Sequence, residues 1–334
     1  MIQRAIVTGG AGFVGAHLAR KVQIDHGAEV LVVDDFRTGT FANLNPDEAS
    51  AEPFTGDLIA TSLNDVDLSS LVAKFQPDVI FHEASITDTT VEDEATMLRD
   101  NVDPFRTLLD VAVKQHVRLV WASSAATYGR TASGAVEHRR PFREADAGNP
   151  ANVYGFSKWV MENLHRRTLA THPEAHIVGL RYFNVFGPRE GHKGTMASMV
   201  HQLAVQMLHG RDPRIFYDGE QARDQVPVWD VVDATIAASD EAAVSGIYNL
   251  GSGTATTFNQ IIDALNEALG TDHAPDYFDN PYTFYQDFTC AELTATESGI
   301  HWRPHHDVRT AIARTAMALK TSLAHASPSE TAGN

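Results

Sequence analysis

The sequence predicts an α/β fold, a doubly wound parallel sheet with a smaller mixed lobe toward the C-terminus. Three observations carry that expectation. Short β-rich runs alternate with longer helical patterns. Most of these runs are continuously apolar rather than alternating, as strands covered on both faces must be. A glycine-rich turn joins the first run to the first helix, where open sheets of this kind bind dinucleotides.

The first strand is "AIVT" (5–8), and "TGGAGFVGAHLAR" leads from it into a helix over 13–26. Gly10, Gly12 and Gly15 fit G-x-G-x-x-G, and Gly9, Gly12 and Gly15 fit the related G-x-x-G-x-x-G. Glycine suits these positions because a tight turn and an approaching pyrophosphate leave no space for a Cβ. The helix N-terminus then offers unpaired N–H groups to the anion. The second strand, "VLVV" (30–33), runs into Asp34 and Asp35, about 20 residues past the last glycine. A carboxylate there bonds the adenosine ribose hydroxyls. Strand, glycines, helix and acid in this order predict a Rossmann dinucleotide site. Asp57, in "FTGDL", is read as following the third strand, and either reaches the adenine or is a turn aspartate.

Further strands are "VIFH" (79–82), "RLVWAS" (118–123), "IVGLRYF" (177–183) and "GIYNL" (246–250), with helices over 95–115 and 155–170. After Asn184 the pattern loosens into helices, loops and aromatic-rich turns. Residues 1–184 and 226–252 are therefore assigned to the dinucleotide-binding domain. Residues 185–225 and 253–322 form the substrate lobe, and 323–334 a small, polar, frayed tail.

Composition bounds the function. With 43% hydrophobic residues in 334, the chain can bury a sizeable core. A formal net charge of −17 argues against nucleic acid and against a polybasic membrane anchor as partners. Cys290 is the single cysteine, which excludes an internal disulfide and a cysteine-based zinc site. No apolar run approaches the ~20 residues of a membrane span, and the first strand begins near Met1, leaving no room for a signal peptide. The expectation is a soluble cytoplasmic protein. The cluster "HWRPHH" (His301, His305, His306) has no accompanying acids and is read as solvated surface, with no metal expected.

Chemistry is suggested by three stretches. "VYGFSK" places Tyr154 and Lys158 four apart on a helix, on one face. A tyrosine is a poor base at neutral pH unless a cation stabilises its phenolate; Lys158 can do that and bond the nicotinamide ribose, although Tyr-x-x-x-Lys taken alone is common on plain helix surfaces. Ser124 ends the fifth strand at the ligand-binding edge, and either bonds a substrate hydroxyl or is simply a small residue at a strand end. G-x-S-x-G is absent, so a nucleophilic serine has little support, and hydride chemistry on an alcohol fits better. "GPREGHKGTMASM" (187–199) gathers Arg189, His192 and Lys193 on a glycine-flanked loop. Taken alone, such cations hold phosphate more often than they transfer protons, and both uses stay open.

"TGGAGFVG", "SSAATYG" and "YGFSK" resemble the extended short-chain dehydrogenase/reductase family, many of whose members epimerise or dehydrate nucleotide sugars. "FHEAS", "RYFNVFGPREGHKGTMASM" and "SGIYNLGSG" are similar to its ADP-heptose 6-epimerase branch, with the resemblance running from about residue 2 to 305. That resemblance implies a homo-oligomer acting on a sugar nucleotide. It implies that Tyr154 and Lys193 are the two acid/base groups, one for each face of a ketone intermediate. It further implies cofactor contacts at Phe13, Val14, Glu83, Asn101, Lys158 and His192. The implied substrate contacts are Thr87, Asn184, Tyr285, Arg189 and Arg223, the two arginines on phosphate. Rival readings are another epimerase or dehydratase on this scaffold, or a dinucleotide-binding regulator without turnover.

The chain also departs from the family. "RTGTF" lacks the lysine that usually serves a 2′-phosphate, and Asp35 stands where asparagine is common. "TFYQ" (283–286) lacks the usual arginine before the Tyr-Gln pair, and 130–150 is longer, with "EHRRPFRE". Two carboxylates after the second strand favour a ribose diol, so NAD is expected; Arg37 keeps NADP possible.

Overall fold

The computed structural model describes residues 1–45, 52–88, 93–129, 139–279 and 286–325. Seven strands form one parallel sheet: β1 (Arg4–Thr8), β2 (Glu29–Asp34), β3 (Asp57–Ala60), β4 (Val79–His82), β5 (Arg118–Ser124), β6 (Ile177–Tyr182) and β10 (Gly246–Leu250). Their order is β10-β6-β5-β4-β1-β2-β3. Strand order reverses at β1, which has β2 on one side and β4 on the other, so the crevice outside their carboxyl ends is the ligand edge.

The apolar runs are buried on both faces, as their composition requires. One face packs α1 (Phe13–His26) against α7 (Val228–Ala237), with Leu18, Val22, Val231 and Val232 in the core. The other carries α3 (Leu68–Phe75), α4 (Glu94–Gln115) and α5 (Val153–Thr171), around Val72, Phe105, Leu108, Trp121 and Met161. A single turn, α2 (Phe41–Leu44), follows β2.

The smaller lobe holds two sheets. β7 (Asn184–Phe186) and β11 (Ala255–Thr257) flank β9 (Ala222–Pro227), and β8 (Arg214–Phe216) pairs in parallel with β12 (Asp276–Phe278). α6 (Met199–Leu208), α8 (Phe258–Leu269) and α10 (Val308–His325) close around Phe186, Leu203, Ile261, Leu265 and Ile312.

Five placements differ from the sequence reading. Val226 and Pro227 complete β9 of the small sheet, so the chain returns to the large domain at α7. α9 (Thr294–Ile300) and Trp302, assigned to the small lobe, pack into the large core instead. α10 continues through His325, so 323–325 are helical, while 326–334 lie outside the described residues. Asp57 opens β3 rather than following it, and pairs with Leu31, whereas Asp34 and Ala60 form the pair at the carboxyl edge. β3 is a four-residue edge strand with mostly exposed residues, and so short a run carries no periodicity to fix its start. His305 and His306 are not simple solvated surface: their backbone N–H groups and the His306 ring contact the buried Asp230 carboxylate.

Candidate active site

The glycine turn is shaped partly by the fold and partly by what approaches it. A Cβ on Gly15 would strike the carbonyl of Gly9, and Gly9 itself has φ +69°, so both glycines are demanded by the turn. A Cβ on Gly12 would meet only the Gly9 carbonyl, at 3.2 Å. Gly12 caps α1 without a side-chain hydrogen bond, leaving the first N–H groups of that helix for an anion. The Asp34 carboxylate, 8% exposed, accepts from Ala11 N and Phe36 N at 2.8 Å each, which fixes it beside this turn. Burial pushes its pKa up, against those two hydrogen bonds. Asn43 donates to Ala11 O at 2.9 Å and lies 3.3 Å from His192 Nδ1, which brings the 187–199 loop against the glycine turn. This cradle fits a dinucleotide pyrophosphate.

A cavity of about 1670 Å³ opens beyond the carboxyl edge, between the large domain and the small lobe. It is lined by Phe13, Val14, Gly15, Glu83, Ser124, Tyr154 and Lys158 from the large domain. From the second part of the chain it gathers Asn184, His192, Lys193 and Arg223, and Thr87 joins them from the loop after β4. Most of the residues singled out from sequence thus share one space.

α5 presents Tyr154 and Lys158 because Asn152 caps its start, accepting from Gly155 N at 2.8 Å. Lys158, 2% exposed, donates from Nζ to Ala122 O at 2.7 Å, and desolvation lowers its pKa to about 8 against the pull of Glu83. Its Nζ stands 6.0 Å from the Tyr154 ring centre. The phenol is hydrogen-bonded to Ser124 instead, so a serine is the group that favours its phenolate, and the help expected from Lys158 is not seen. Burial still holds the Tyr154 pKa above its usual value, Ser124 opposes that, and Glu83 adds to it. Glu83 is itself pushed up to about 7 by burial, against the hydrogen bond that Tyr182 donates at 2.9 Å and the charge of Lys158.

The 187–199 loop is organised by Glu190, which is fully buried. Its carboxylate accepts from Ser198 N at 2.7 Å, Ser198 Oγ at 2.6 Å and Lys193 Nζ at 3.1 Å. Lys193 also stands 4.8 Å over the Phe13 ring, the residue that opens α1. The second candidate proton-transfer group is therefore held at the dinucleotide cradle.

Several residues fall elsewhere. Asn101 does not line the cavity; its amide is bonded to both backbone groups of Ile86 and to Ser157 Oγ, which ties the wall together. Arg189 does not line it either: with φ +70°, it lies near His17, whose pKa falls to about 4 through burial and this neighbouring charge. Arg223 is there, with its guanidinium on the carbonyls of Ala222 and Gln286. Arg37 is bonded to Asp35 and Asp100. Tyr285 and most of the 130–150 insertion lie outside the described residues. Missed by the sequence reading were Arg211, Arg214, Phe216 and Phe278, which line the far end of the cavity. The signal was the cationic stretch "GRDPR" (210–214) in so acidic a chain. Among the described residues no group of three or more His, Cys, Asp or Glu is arranged to hold a metal. No helix there is long and apolar enough to cross a membrane.

Residues 5–251 match the NAD dependent epimerase/dehydratase family. Among solved structures, the chain is similar to the ADP-L-glycero-D-manno-heptose-6-epimerase of Helicobacter pylori, at 34% identity over 96% of each chain and a TM-score of 0.83. It is similar to the UDP-glucose 4-epimerase of Thermotoga maritima, solved with UDP-glucose, at 28% identity over 96% of this chain and 100% of that one, TM-score 0.84. The UDP-glucose 4-epimerase of Thermus thermophilus, solved with NAD, shares 27% identity over 95% and 99% of the two chains, TM-score 0.79.

Proposed function

The chain belongs to the NAD dependent epimerase/dehydratase family, and from that premise we propose that it inverts carbon six of ADP-D-glycero-D-manno-heptose using NAD. One observation carries the reading. Tyr154 on α5 and Lys193 on the 187–199 loop line the same cavity as Phe13 and Gly15 at the start of α1. Inversion by oxidation and reduction needs a proton-transfer group for each face of a ketone, and two such groups meet at one dinucleotide cradle.

The dinucleotide, when bound, supplies the hydride acceptor. Gly9, Gly12 and Gly15, with the N-terminus of α1, hold its pyrophosphate; Asp34 and Asp35 take the ribose hydroxyls. Ser124 orients the substrate hydroxyl and the Tyr154 phenol. Tyr154 exchanges the hydroxyl proton on one face of the substrate, and Lys193 on the other once the ketone has turned over. Thr87 and Asn184 contact the sugar, and Arg223 holds the nucleotide end, where Arg211 and Arg214 stand beside Asp212 and Asp276. The carbon-six assignment is supported by the likeness to the heptose epimerase and by the "GPREGHKG" loop. We extend the reading to a homo-oligomer.

The test is to incubate the purified protein with ADP-D-glycero-D-manno-heptose and no added cofactor, and to follow the product by NMR. Inversion at carbon six is expected. Inversion of UDP-glucose at carbon four, with the heptose untouched, would replace the substrate assignment. No turnover of any sugar nucleotide would leave a dinucleotide-binding regulator.

A further inference from the structure

The turn after β2 contains one cation, Arg37, three positions beyond Asp34. An arginine near that acid is what accommodates the 2′-phosphate of NADP. Here the guanidinium is engaged on both sides. Nη1 meets Asp100 Oδ2 at 2.9 Å, and Nη2 meets Asp35 Oδ2 at 3.3 Å. Asp35 also accepts the backbone N–H of Arg37 at 3.0 Å, so the turn folds back on itself around the pair.

Asp100 comes from α4, far along the chain from this turn, and its side chain is only 11% exposed. Its other oxygen accepts from Arg99 Nε at 2.9 Å and Asn64 Nδ2 at 3.3 Å, which leaves the carboxylate little freedom to follow Arg37 if the arginine swings. A 2′-phosphate carries nearly two negative charges at neutral pH. To be met by Arg37 it would have to draw the arginine off two carboxylates and then sit beside them. A ribose diol has no such conflict, because its hydroxyls donate to carboxylates.

We infer that Asp100 is a specificity-determining residue for the dinucleotide: together with Asp35 it occupies Arg37, and so denies a 2′-phosphate its cation. The inference rests on the NAD reading above and adds a residue outside the β2 turn to it. No glycine-turn or β2-edge pattern would reveal such a residue, because it comes from α4, 63 residues further along the chain.

The experiment equilibrates the purified full-length protein with an equimolar mixture of NAD and NADP, removes the free nucleotides, and quantifies what is retained. The wild type should retain mostly NAD; predominantly NADP would sink the NAD reading itself. Asp100→Asn should move the retained ratio about tenfold toward NADP, the scale for changing one close charge at a binding surface. In an Arg37→Ala background the same substitution should move it little. An unchanged ratio in Asp100→Asn overturns the inference. A shift of the same size without Arg37 also overturns it, because lost repulsion or a freed Arg99 would then explain the effect. Thermal melts check that each variant folds. If Asp100→Asn does not, Asp100→Ser is measured in the same way, with and without Arg37, and must give the same Arg37-dependent shift, or the inference fails.

Discussion

Lys193 illustrates what one buried carboxylate can do for a loop residue. Glu190 is held by Ser198 as well as by Lys193, so removing the lysine leaves the carboxylate with hydrogen bonds and the loop with its anchor. Lys193→Met should therefore fold, keep its dinucleotide and lose about 10²-fold in turnover, as should Tyr154→Phe. A raised KM with unchanged kcat would instead make Lys193 a phosphate ligand. Glu83 permits a separate test. Its carboxyl is raised from 4.5 to about 7, so the folded protein holds that proton more tightly than the unfolded chain. The resulting stabilisation is complete below the unfolded value and is lost as pH rises through about 7. Lys158, lowered to about 8, acts in the opposite sense and only at higher pH. Between pH 5 and 7.5 the melting temperature of Glu83→Gln should thus gain on that of the wild type. A constant gap across that range would contradict the assignment. At this scale helix spacing and strand ends explain why Tyr154, Lys158 and Ser124 line one cavity, whereas Lys193, on a loop, was picked out by the resemblance of its segment. The sequence located Asn101 and Arg189 poorly, because where an amide bonds, or where a residue at φ +70° points, is decided by neighbours that no local pattern names.

The glycine turn separates fold requirements from ligand requirements within one element. Gly15→Ala would drive a Cβ into the Gly9 carbonyl and should cost roughly 1–3 kcal/mol, read as a lowered melting temperature. Gly12→Ala meets only a tight 3.2 Å contact, so it should fold close to normally and yet fail to retain dinucleotide. Retention by the Gly12 variant would displace the pyrophosphate from this turn. The long buried elements were legible for a related reason: strands covered on both faces must be continuously apolar, and β1, β2 and β4 are. The three-residue strands β7, β8, β11 and β12 were not, since so short a run carries no periodicity. The pairing of β8 with β12 joins segments far apart in the chain, and this pairing places Arg214 over the Phe278 ring at 4.4 Å. This part of the cavity, where Arg214 is paired with Asp276, therefore depends on tertiary pairing that the sequence pattern did not display.

Across the whole molecule, the cavity needs both lobes held in register, and a buried polar network behind the large sheet helps to do that. Arg181 on β6 is fully buried and donates to both oxygens of Glu162 on α5, each at 2.7 Å. It also donates to Glu144 O at 2.8 Å and to the Tyr128 hydroxyl at 3.0 Å. Tyr128 in turn bonds Asn249 on β10, whose amide holds the carbonyls of Phe142 and Glu292. Ser123, next to the candidate catalytic serine, completes the set by donating to Glu162 at 2.8 Å. The network thus connects α5, which carries Tyr154, to the strand before the small lobe and to the segment that returns from it. A buried pair of this kind adds little net stability over apolar packing, but losing one partner strands a charge in a dry interior. Arg181→Met should accordingly destabilise the protein by about 3–5 kcal/mol in denaturant titration. Arg181→Met combined with Glu162→Met should be more stable than the single variant, because the buried carboxylate, left with only Ser123 and the part-exposed Arg166, is gone. Should the double variant prove the less stable of the two, Glu162 would be holding the fold mainly through Ser123 and Arg166, which it also binds, and not through Arg181.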